Sequence, residues 1–121
     1  MNGNEPVKSS YLDYLQDIAE SDVRGLRKAE ASYGDSWKKR GGVGAFMMLA
    51  RKWDRIEKML DPEQTPNDKA WDIFAAVTYD ERMEGMIDDI RDLRRYLMLV
   101  EAEMKATGAT SALTEQRDSA K

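Results

Sequence analysis

From Tyr11 onward the apolar positions fall at Leu12, Leu15, Ile18, Ala19, Val23, Leu26, Ala29 and Tyr33. Steps of three and four place these residues on one face of a helix, so the spacing predicts a long amphipathic helix. Ser10 is placed to cap it, with Asp13 as the capping-box partner. The glycines of "YGDSWKKRGGVG" end it. A second helix follows from about Val43 to Leu60, with Phe46, Leu49, Ala50, Trp53, Ile56 and Leu60 as its stripe. "DPEQTPND" reads as a loop. Thr65, followed by Pro66 and Asp68, is a helix-start signal for a short helix through "KAWDIFAAV". Thr78 and Glu81 form another capping box. The last helix then runs to about Lys105, with Met83, Met86, Ile87, Ile90, Leu93, Leu97, Val100 and Met104 on one face. No strand-like alternation competes. The expected fold is all-α, a bundle of three long helices plus one short helix. It forms a single domain over 10–105, between a flexible arm at 1–9 and a disordered tail at 106–121. So thin a bundle leaves an apolar face over, which predicts a homo-oligomer.

Composition narrows the chemistry. A chain of 121 residues suits one domain, and 41% hydrophobic with 35% charged residues fits a soluble, helix-rich protein. No apolar run approaches the roughly 20 residues a membrane span needs. The polar start "MNGNEPVKSS" lacks the core of a signal peptide, so a cytosolic protein is expected. There is no Cys and no His. Any metal site must therefore use oxygen ligands, which favours Mg²⁺ or Mn²⁺. A net charge of -4 argues against a general nucleic-acid surface.

Each long helix carries charge among its apolar positions. At about 100° per residue, Asp22 lies between Ile18 and Leu26, with Glu30 at the edge of the same stripe. Glu57 points with Phe46, Ala50 and Trp53, and Asp54 flanks it. Glu101 and Arg94 share the direction of Ile90 and Leu97, while Asp89 lies near the edge beside Leu93 and Tyr96. Buried charges need partners or metal. One reading is structural, with Arg94 bridging to Glu57 or Glu101. The other is a cavity of inward carboxylates holding divalent cations. Asp54/Glu57 and Asp89/Asp92 each set two carboxylates three apart, neighbours on a helix surface. Facing each other, the two pairs could clamp Mg²⁺.

The second candidate is the basic-glycine segment. Lys38, Lys39 and Arg40 precede Gly41 and Gly42 at the start of the second helix, where backbone N–H groups attract phosphate. Lys52 extends the positive charge along that helix. Trp37 is placed to stack on a base. The segment also reads as a plain basic connector, because it lacks the spacing of a Walker A loop.

"YGDSW" leading into "RKWDRIEKML", with "IDDIRDLRRYLML" further on, resembles small phage and bacterial proteins of the MazG-like, all-α nucleoside triphosphate pyrophosphohydrolase type. The likeness covers roughly Leu26 to Glu101. It implies a helical, usually oligomeric bundle and Mg²⁺ held by two acidic pairs on successive helices. It also implies cleavage of an NTP or dNTP between the α and β phosphates. The family's pairs are Glu-x-x-Glu and Glu-x-x-Asp, and Asp54/Glu57 and Asp89/Asp92 fall at the matching places. Here each pair begins with Asp, and the segment between the pairs is longer.

Three functional expectations follow. The first is a Mg²⁺-dependent pyrophosphohydrolase, with Asp54, Glu57, Asp89 and Asp92 on metal. In it Lys38, Lys39, Arg40 and Lys52 contact phosphate, and Glu30 or Asp22 orients water. The second is a binder, such as an anti-defence phage protein that sequesters a nucleotide or nucleotide signal intact; the altered acidic pairs favour it. The third is a helical protein-interaction module.

Overall fold

The computed structural model describes residues 10–108, so the expected arm at 1–9 and most of the expected tail lie outside it. The described part is all-helical, with three long helices and one short one. None of these helices is long and apolar enough to cross a membrane. The chain divides into two compact units, the first ending at Ser36 and the second beginning at Trp37.

The first unit is helix α1, Tyr11–Tyr33. Ser10 sits at its N-cap in extended backbone, and its hydroxyl donates to the Asp13 carboxylate at 3.3 Å instead of accepting a backbone N–H. Gly34 ends the helix with φ +59°, a conformation costly for side-chain-bearing residues, and donates its N–H to the Glu30 carbonyl at 2.8 Å. Both ends lie where the sequence places them.

A short 3₁₀ turn, Ser36–Lys38, spans the boundary, and the second unit continues into α2, Gly41–Leu60. The remaining helices are α3, Ile73–Tyr79, and α4, Met86–Ala106. α2 and α4 pack antiparallel, because Lys38 pairs with Glu103, Lys52 with Asp92 and Arg55 with Asp89. The core lies at one end of this pair. Met59, Ala76 and Met86 are buried there, with Leu60, Ile73 and Val77 packed against them. Ile56 is buried one turn further along α2.

Two loop expectations are corrected. Thr65 does not start α3. It is buried, and its hydroxyl donates to the Met59 carbonyl at 2.6 Å, satisfying one of the last acceptors of α2. Asp72 caps α3 instead, its carboxylate accepting from the N–H groups of Phe74 and Ala75. Trp71, at φ +68°, turns the chain between them and donates its N–H to the Leu60 carbonyl.

The last helix does not start at Thr78 either. The Thr78 hydroxyl bonds back to the Ala75 carbonyl, and the helix begins at Met86. Asp80 is the reason. It holds Arg82 with both oxygens, at 2.9 and 2.8 Å, and its Oδ2 accepts the Met86 N–H at 2.6 Å. A carboxylate six residues upstream thus serves the start of α4, and Asp80–Gly85 stays non-helical. The Arg82 guanidinium holds the nearly buried Asp80 carboxyl at a pKa of about 2, against an ordinary 3.8. The same contact raises the Arg82 pKa.

Candidate functional site

The stripe of α2 that carries Glu57 is not the face that packs on α4. Lys52, Arg55, Ile56 and Met59 meet the rest of the unit, while Phe46, Trp53 and Glu57 are exposed. Glu57 accepts a hydrogen bond from Trp53 Nε1 at 3.0 Å, one turn back on the same helix. Asp54 is exposed beside it. Periodicity identifies which residues share a face, but it does not say which face one chain covers.

The α4 pair meets cations. Asp89 is buried, and its Oδ1 accepts from Arg55 Nε at 2.7 Å. Its Oδ2 faces an Arg82 terminal nitrogen at 3.0 Å, close enough for an ion pair but not aligned as a hydrogen bond. Asp92 accepts from Lys52 Nζ at 3.0 Å on one oxygen and from Arg91 on the other. Lys52 therefore answers Asp92. The four carboxylates do not converge within one chain, and the described residues contain no cluster of three or more metal-ligating side chains. As a shared Mg²⁺ site these four do not fit, because two are held by cations and the other two sit on the exposed stripe. Glu30 lies exposed on α1, and Asp22 is the buried residue of that helix.

The basic-glycine segment makes a cavity. Where the start of α2 meets the end of α4, a groove of about 650 Å³ opens. Trp37, Phe46 and Leu49 wall it on one side and Val100 and Met104 on the other, with Gly41, Gly42 and Ala45 along the start of α2. Lys38 and Glu103 form an ion pair at its edge, 2.7 Å across. Lys39 and Arg40 are exposed just before the helix, and Arg40, the N-cap residue, makes no side-chain capping bond. The first N–H groups of a helix have no intrahelical partner, so the start of α2 that lines the groove at Gly41 and Gly42 carries donors, with Lys39 and Arg40 next to it in the chain.

The glycines differ in their reasons. Gly41 has φ +71°, which demands glycine. At Gly44 a Cβ would lie 2.7 Å from Arg40 Cβ, so the chain could not turn into the helix as it does. Gly42 has neither excuse. It has no positive φ, and a Cβ there would meet nothing within 4 Å. A helical Gly costs roughly 0.5–1 kcal/mol against Ala, and here it leaves open space along the groove. Trp37 and Lys38 were legible as site residues. Phe46, Leu49, Val100 and Met104 carry the same spacing as core positions and gave no sign that they would wall a cavity.

No protein-family model matches the chain, and neither a curated protein nor a solved structure resembles it at a significant level.

Proposed function

We propose that this chain binds a nucleoside phosphate, with the base in the groove between α2 and α4 and the phosphates toward Lys39 and Arg40. The carrying observation is the groove itself. It has the volume of a small-molecule site, two aromatic walls in Trp37 and Phe46, and a helix start with basic side chains at one end. Apolar walls suit a base, and a cationic helix N-terminus suits phosphate. Lys38 contributes indirectly, because Glu103 already holds it. The open position at Gly42 fits a ligand that needs the room.

Hydrolysis between the α and β phosphates is the second reading. It is favoured by Asp54 and Glu57, exposed carboxylates three apart that form no ion pair among the described residues. They are the acidic pair available to Mg²⁺ or Mn²⁺. Glu57 lies eleven residues beyond Phe46, about 16 Å along the helix axis.

The test is incubation of the whole chain with NTPs, dNTPs and cyclic nucleotides, with and without Mg²⁺, followed by thermal shift and chromatography. Binding at a hundredfold excess over Kd adds about 2.7 kcal/mol, a rise in Tm of roughly 10 °C. Trp37→Ala should abolish the rise. Intact ligand supports binding, and monophosphate plus pyrophosphate formed only with metal supports hydrolysis. An unchanged Tm across the panel would sink both.

A further inference from the structure

We infer that the Lys38–Glu103 pair selects guanine as the base, an inference that rests on the nucleotide reading above and names the ligand within it. Of the residues lining the groove, Lys38 and Glu103 alone carry charged side chains; the others are glycine, aliphatic, aromatic or Met. The two come from opposite walls. Lys38 lies in the turn before α2 and Glu103 near the end of α4, and Lys38 Nζ donates to Glu103 Oε1 at 2.7 Å. Glu103 Oε2 takes no hydrogen bond among the described residues. A ligand between the apolar walls therefore meets three polar atoms in succession. They are an ammonium donor, the oxygen it holds and an oxygen still open.

Stacking on Trp37 or Phe46 serves every base, because every base has a π-face. Attraction of phosphate to Lys39 and Arg40 is the same whatever base is attached. Discrimination therefore falls to the pair. An ionised carboxylate only accepts and an ammonium only donates. Guanine carries O6, N1–H and the 2-amino group in order along one edge, an acceptor followed by two donors. Lys38 gives to O6, and the Glu103 oxygens take N1–H and N2–H as a bidentate contact. Adenine and cytosine set one amino group beside one ring acceptor, so they satisfy Lys38 and one oxygen and leave the other without a donor. Uracil and thymine hold N3–H between two carbonyls, and the second carbonyl meets Glu103 as acceptor against acceptor. Both side chains keep more than a third of their surface in water. The preference expected is thus about tenfold, in the lower part of the range for a bidentate contact to a base.

The test is calorimetric titration of the whole chain with GTP, ITP, XTP, ATP and UTP, with Mg²⁺ withheld so that nothing is turned over. GTP should bind about tenfold tighter than ITP, which differs only in lacking the 2-amino group. Glu103→Gln should change the order. Its carboxamide offers one acceptor and one donor, which suits xanthine, where an oxo group replaces the 2-amino group. XTP should then bind the variant about tenfold tighter than GTP does. A pair that serves only to hold the helices together would weaken all five ligands alike and leave their order unchanged, which would overturn the inference. Equal binding of GTP, ITP and ATP by the wild type would overturn it too and leave the nucleotide reading standing. Failure of all five to bind would end both. Should Glu103→Gln not fold, GTP against ITP on the wild type decides alone.

Discussion

Arg55 Nε lies 2.7 Å from a carboxylate oxygen of the buried Asp89, joining the middle of α2 to the start of α4. An acid whose spacing suggests a metal ligand is held by a cation from the helix opposite. Removing one partner of a buried pair is costly because it strands the other. Asp89→Ala should lose roughly 3 kcal/mol, read as a lower midpoint in urea. EDTA should leave the Tm of the wild type unmoved; a drop seen in the wild type and lost in Asp89→Asn would return Asp89 to the metal-ligand reading.

Asp80 sets an acid limb. Its folded pKa of about 2 lies below the ordinary 3.8, because Arg82 binds the charged form. The resulting stability is present above pH 3.8 and disappears as pH falls through about 2. The difference is worth about 2 kcal/mol. Asp80→Asn should lose that amount at neutral pH and flatten the stability curve between pH 4 and pH 2 in acid-titrated unfolding.

Gly85 is needed for the approach of that carboxylate. A Cβ at Gly85 would sit 3.0 Å from Asp80 Oδ2, which is held by Arg82 and the Met86 N–H. Gly85→Ala should cost about 1 kcal/mol. In a double-mutant cycle with Asp80→Asn the two losses should be non-additive. Simple addition would mean that the side chain moves aside without penalty.

Neighbouring glycines at the groove should respond with opposite signs. Gly41→Ala forces a side chain into positive φ and should destabilise by about 1 kcal/mol. Gly42→Ala should stabilise by roughly 0.5–1 kcal/mol while narrowing the groove. Thermal melts read the first effect, and titration of the tightest nucleotide reads the second. A Gly42→Ala protein that is both more stable and equally tight in binding would remove Gly42 from the site.

The helices were legible because three- and four-residue spacing is a local property. α1 follows its periodicity to both ends, and α2 begins only two residues before its apolar stripe suggests. Two starts were misread because a cap signal is also local and has rivals. Thr65 spends its hydroxyl on the end of α2, and Asp80 outcompetes the Thr78 box for the start of the last helix. The contacts of Arg55 with Asp89 and Lys52 with Asp92 join residues 34 and 40 apart. No local pattern encodes which helix supplies the counter-charge. Asp80-x-Arg82 was the available hint, a short-range acid–base pair just before a helix that begins with two more acids.

The buried core and the groove occupy opposite ends of the α2–α4 pair, Met59 and Ala45 being about 21 Å apart along one helix. That makes the pair a set of tongs. The pivot is the buried apolar cluster flanked by the buried Asp89 ion pair, which salt screens little. The jaws carry Lys38 and Glu103, each more than a third exposed, and an ion pair of that exposure is weak and screened. The gap should therefore widen with ionic strength while the pivot holds. Amide exchange should run fast around Ala45 and Val100 and slow around Met59 and Met86. A ligand could enter by spreading the jaws without melting the joint.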